Sequence, residues 1–143
     1  MKKLLSTCLI LFTGIFSVYA ADEKEVAPAD TAAATAPEYA YYAFDPEIVT
    51  NYISNRKKLG FVKISIELMV KSPDDLITIE RHDPLLRAAI VEVLGNQSED
   101  KVKSLIGREE IRRECFDIVN NLITQEAGKP LIVNLLFTSY LYD

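Results

Sequence analysis

The sequence predicts a single α+β domain, a mainly antiparallel sheet with helices packed on it. Three patterns predict it. Across residues 61–70, FVKISIELMV, the apolar Val62, Ile64, Ile66, Leu68 and Val70 alternate with Lys63, Ser65 and Glu67. That two-residue period is a strand with one face on a core and the other largely towards solvent. Leu86, Ile90, Val93 and Leu94, and later Ile111, Cys115, Ile118 and Leu122, recur at helical spacing. An apolar run over residues 131–142 closes the chain, so the order is strands, helices, one strand, which suits helices laid against a sheet.

Ahead of the domain lie two segments that build no core. Lys2 and Lys3 precede an uncharged apolar run, residues 4–16, and Val18 and Ala20 are the small residues a signal peptidase needs. Residues 1–20 therefore read as a secretory signal cleaved between Ala20 and Ala21. A spanning helix needs about 20 apolar residues, and this run is short even when counted to Tyr19. Cleavage removes Lys2, Lys3 and Cys8, leaving Cys115 as the one thiol, on an apolar helix stripe that favours burial. Residues 21–38 are rich in Ala, Thr, Pro and acid, with Val26 the single larger apolar side chain, and read as a flexible tether.

The folded part is residues 39–143. YAYYAF (39–44) predicts a strand that Asp45-Pro46 stops before a second short run at 48–53, and residues 55–58 predict a polar turn. Ser72, Pro73 and Asp75 supply the N-cap, first-turn proline and capping-box acid of a helix. Pro84 kinks or restarts that helix because its ring removes a backbone donor, and Gly95-Asn96 end it. Ser98, Glu99 and Asp100 open a short helical turn expected to carry Val102, Leu105 and Ile106. The last helix is expected from Arg108 to about Glu126, its stripe widened by Val119 and Ile123 and stopped by Gly128 and Pro130. The closing run is apolar on both faces, which predicts a strand central in the sheet or covered on both sides.

Composition narrows the chemistry. With 21 acidic and 16 basic residues the net charge is −5, and no basic stretch neutralises a run of phosphates, so nucleic acid is not an expected partner. One His and two Cys exclude a multi-histidine metal site, a zinc knuckle and a framework of several disulfides, and no cofactor is expected. His82 lies next to Asp83 at the kink with no identifiable nucleophile, and reads as a local cap or hydrogen bond. The pairs Asp74-Asp75, Glu99-Asp100 and Glu109-Glu110 fall at expected helix starts, where carboxylates favour the free amides, and lack calcium-loop spacing. REEIRREC (108–115) reads as a solvated helix face on which Glu109 reaches Arg112 and Arg113. Nothing assembles into a catalytic set, and an enzyme is not expected. Tyr39, Tyr41 and Tyr42 in the first strand and Tyr140 and Tyr142 in the last remain. They form cross-strand pairs if those strands are neighbours, or an exposed band for protein contact.

The segments YYAFDPEIVTNY, KLGFVKISIELMVKSPD, RHDPLLRAAIVEVLGNQSEDKVKSLIGREEIRRECFDIVNNLI and LLFTSYLYD resemble the periplasmic domain of the flagellar basal-body-associated FliL proteins. The most specific pieces are the opening Tyr41, Tyr42, Asp45 and Pro46, the kink residues His82, Pro84 and Arg87, and FTSY at 137–140. The resemblance implies a non-enzymatic accessory of the flagellar motor that associates with stator units and supports motility and chemotaxis. It also implies a homo-oligomeric ring and a domain similar to the stomatin and prohibitin domain. Family members usually keep a membrane-spanning helix before that domain, whereas this N-terminus reads as a cleaved signal. Two localisations follow: free in the periplasm, or held in the inner membrane by the run that Leu4 opens and Tyr19 closes. Two roles follow as well, a stator partner or a soluble periplasmic binding or scaffold module away from the flagellum.

Overall fold

The computed structural model describes residues 38–55 and 59–143. The signal segment with its cut between Ala20 and Ala21, the tether up to residue 37, and positions 56–58 of the expected turn lie outside the described residues. β3 (Gly60–Val70) is the spine of a four-stranded sheet. β1 (Ala40–Ala43) and β2 (Ile48–Tyr52) lie end to end along one of its edges, Ala40 opposite Val70 and Ala43 opposite Glu67, Ile48 opposite Ile64 and Tyr52 opposite Gly60. β4 (Ile132–Tyr142) runs antiparallel along the other edge.

The alternation of β3 is realised in full: Val62, Ile64, Ile66, Leu68 and Val70 are buried on one face, and Lys63, Ser65 and Glu67 are not. The helices cover that face. A 3-10 turn over Pro73–Asp75 leads into α1 (Leu76–Arg81), and Ser72 caps the turn by accepting from the Asp74 N–H. α2 (Asp83–Gly95) starts afresh with Pro84 in its first turn, and buries Leu86, Ile90, Val93 and Leu94. α3 (Glu99–Lys103) is short, and α4 (Leu105–Ala127) ends at Gly128, whose φ of 73° is the left-handed cap expected of glycine there. Removing each of these aliphatic side chains from water is worth about 1.5–3 kcal/mol before the cost of ordering the chain.

Three expectations change. α4 begins at Leu105, three residues early, because the Ser104 hydroxyl accepts from the Gly107 N–H at 2.9 Å. Glu109 is therefore past the helix start. The extended Ser104 also breaks the phase between α3 and α4, so Val102 is buried while Leu105 and Ile106 are 75% and 77% exposed. The stripe of α4 is Ile111, Cys115, Val119 and Ile123, with Ile118 and Leu122 at its flanks.

The third change is β4, which among the described residues pairs only with β3 and is an edge strand. Its register against β3 slips twice, so that Ile66 faces Phe137 where Ser65 faces Ser139, and Val70 faces Ile132 where Met69 faces Asn134. Each bulge inserts one residue and reverses which parity points inward. The core-side positions are consequently Ile132, Leu135, Phe137, Tyr140 and Tyr142, opposite Val70, Leu68, Ile66, Ile64 and Val62. Apolar residues occupy both parities because the strand changes phase, not because both faces are covered.

Candidate interaction surface

Two of the distinctive sequence pieces meet at one junction. The Tyr42 hydroxyl donates to Asp83 Oδ2 at 2.9 Å, and Arg87, one turn along α2, reaches Asp83 Oδ1 with Nε at 3.3 Å. The rest of the Arg87 guanidinium grips the turn between β1 and β2, donating to the carbonyls of Pro46 at 2.6 Å and Asp45 at 3.3 Å across the cis Asp45–Pro46 bond. It also lies 5.3 Å from the centre of the Phe44 ring, which Tyr42 meets edge-on at 5.5 Å. Burial first, and then the bond to Asp83, push the Tyr42 hydroxyl up to about 12. His82 sits between α1 and α2 with Nδ1 2.8 Å from the Thr78 carbonyl, the local bond expected of it, and Nε2 3.8 Å from Glu126.

A second polar lock ties α3 to the end of β2. Glu99 is buried and accepts from the Ser54 hydroxyl at 3.0 Å and the Asn55 N–H at 2.9 Å, and it pairs with Lys103 at 3.1 Å. Those partners, Lys103 foremost, hold its carboxyl down to about 2.

The five tyrosines do not form one group. β1 and β4 flank β3 on opposite edges, with Tyr41 level with Met69 and Tyr140 level with Ile64, so no pair forms across a shared ladder. Tyr39 and Tyr41 are exposed, and Tyr41 lies on the sheet face away from the helices. Tyr42 is spent on Asp83. Tyr140 donates to the Val102 carbonyl at 3.1 Å, stacks on Phe137 and meets Tyr142 edge-on. Arg108 lies 5.6 Å above its ring, and burial pushes its hydroxyl up to about 12. Tyr142 is half exposed, with Lys103 beside its ring.

Exposed apolar side chains concentrate near that end of the molecule. On the open face of the sheet Lys63 is flanked by Val49 on β2 and Leu141 on β4, with Phe61 two residues along β3, and all three apolar residues are exposed. Beside β4, Arg108 and Arg112 of α4 wall a groove of about 320 Å³ over residues 136–140. Arg112 is held by Glu109 at 2.7 Å and by the Leu135 carbonyl at 2.8 Å. Among the described residues no three His, Cys, Asp or Glu side chains gather as a metal site requires.

The family model for the flagellar basal body-associated protein FliL matches residues 41–142, essentially the whole of the described domain. The chain belongs to the FliL family. One curated relative, the flagellar protein FliL of Aquifex aeolicus (strain VF5), is 25% identical over 99 residues, which is 69% of this chain. The match spans 58% of that relative's length. No helix among the described residues of this FliL domain is long and apolar enough to cross a membrane.

Within the FliL domain, sequence reasoning found the junction residues without their partners. It missed the exposure of Leu105 and Ile106, and the groove beside Arg108. The signal for the first was present: Ser104 three residues before Gly107 is a helix cap, and shifting the start there turns both side chains outward.

Proposed function

We propose that this domain is a non-enzymatic accessory of the flagellar motor, exported to the periplasm, where it contacts stator units, self-associates and supports motility. The observation that carries the reading is the family match across residues 41–142. The surface chemistry supports it: exposed Tyr41, Phe61, Leu141, Tyr142, Leu105 and Ile106 are large side chains of the kind that contact sites use.

Deleting the gene should reduce swimming speed and soft-agar spreading, and the tagged full chain should co-purify with stator subunits. Normal swimming together with no captured motor component overturns the reading and leaves a soluble periplasmic module of the same fold. Sequencing the N-terminus of protein from the periplasmic fraction settles the anchoring: Ala21 first is expected, and Met1 in the membrane pellet shows an anchor instead.

A further inference from the structure

Among the described residues β4 is an edge strand whose open side is sealed at one point and free at another. The carbonyls of Phe61 and Ser65 turn to β4, accepting from the Asp143 N–H at 3.2 Å and the Thr138 hydroxyl at 3.3 Å. Ile66 turns its carbonyl to the opposite edge, where the Phe44 N–H donates at 3.1 Å. With the register pairing Leu68 to Leu135, Ile66 to Phe137 and Ile64 to Tyr140, this alternation directs the backbone groups of Leu135, Phe137 and Tyr140 away from β3. At Leu135 both are taken, the N–H by Asn134 Oδ1 at 2.9 Å and the carbonyl by Arg112. Such plugging is how proteins blunt an edge. At Phe137 and Tyr140 no described residue takes them.

The charge beside the free stretch is also uncommitted. Arg112 is paired with Glu109, but among the described residues Arg108 has the Tyr140 ring as its one charge partner, and no described carboxylate stands within ion-pair distance of it. We propose that this stretch of β4 is a docking site for an extended acidic segment of a partner protein, which bonds the backbone of Phe137 and Tyr140 on either side of the bulge at Thr138 and sets a carboxylate on Arg108. A second copy's β4 is the poorer occupant, since IVNLLFTSYLY contains no Asp or Glu to place there. The inference rests on the reading that the domain works by contact with another protein. It is tested without reference to motility, so the two can fail separately.

The probe is a capped hexapeptide of alternating Val and Glu, titrated into the ¹⁵N-labelled full chain and followed by amide shifts. The Phe137 and Tyr140 amides should move and gain protection from exchange, and Arg108→Glu, an exposed position that leaves the core intact, should weaken binding by about tenfold or more. A Val-Lys hexapeptide and a Val-Glu hexapeptide N-methylated at alternate residues should both fail to bind. Equal binding of either control, shifts confined to another surface, or no binding at all overturns the proposal. So does movement of the same amides with protein concentration alone, which assigns the edge to a second copy.

Discussion

Tyr42 on β1 and Asp83 at the start of α2 are joined by a 2.9 Å hydrogen bond that spans 41 residues of chain. Arg87 completes the tie by holding Asp83 and the Asp45 and Pro46 carbonyls with one guanidinium. The planar fork meets these groups from three separate nitrogens, whereas an ammonium has to reach them all from one. Arg87→Lys should therefore lose most of what Arg87→Ala loses, about 1.5–3 kcal/mol for unpairing these charged bonds. Tyr42→Phe, which leaves Asp83 its arginine, should cost less than either. Urea melts of the three variants check the order, and a lysine variant as stable as wild type contradicts it.

The register of β3 makes a sharper contrast. Ile66 is 1% exposed, whereas Glu67 points to the open face between Ala43 and Leu136. Ile66→Ala should cost about 2–5 kcal/mol, and Glu67→Ala should stay within about 0.5 kcal/mol. Equal losses in thermal melts contradict the assigned faces.

These two cases mark what the sequence made legible and what it did not. β3, the restart at Pro84 and the stop at Gly128 are written locally, in a two-residue alternation, a missing amide and a left-handed residue. β4 is not, because a bulge is a register slip against a partner strand and leaves no mark on the bulged residues themselves. Asp45, Pro46, His82, Pro84 and Arg87 stood out as motif residues, yet only the fold brings the Asp45 and Pro46 carbonyls to the Arg87 guanidinium. Glu99 showed the same gap: it read as a helix-start carboxylate, and its partners Ser54 and Asn55 lie over 40 residues earlier in the chain.

Glu99 gives the fold a defined acid sensitivity. Its partners lower the carboxyl from 4.5 to about 2 in the folded state, so the folded chain favours the charged form more than the unfolded chain does. That stabilisation is fully present above about pH 4.5 and is lost as pH falls towards about 2. Glu99→Gln should be less stable than wild type near neutrality and should lose less on acidification through that window. Glu109 is likewise held at about 2, by Arg112 and Arg113 and not by any group of this lock, so the difference between the two melting curves reports Glu99. Parallel curves mean that the lock is not ionic.

Cys115 is buried on the α4 stripe, and burial pushes its thiol up to about 12. The thiolate is the reactive species, so the folded chain should hold Cys115 silent towards a maleimide at neutral pH. In a Cys8→Ser chain, where Cys115 is the one thiol, labelling should appear only in denaturant, with a midpoint that follows the unfolding transition, and no disulfide-linked dimers should form under oxidation. Fast labelling of the native protein contradicts the packing of α4 against the sheet.

The tyrosines separate stability from contact. Tyr41 is 53% exposed, so Tyr41→Ala should leave the melting temperature nearly unchanged, within about 0.5 kcal/mol. Tyr140 is tied to the Val102 carbonyl, and Tyr140→Phe should cost about 1 kcal/mol by leaving that acceptor unpaired. A loss of partner capture in a Tyr140 variant thus mixes two causes, whereas a loss in Tyr41→Ala, or in Leu105→Ser with Ile106→Ser, reports contact alone. Pull-down with a stator periplasmic segment should therefore weaken in at least one of these two exposed sets while their melts match wild type. Undiminished capture in both moves the interface off the tyrosine-bearing face of β1 and the start of α4.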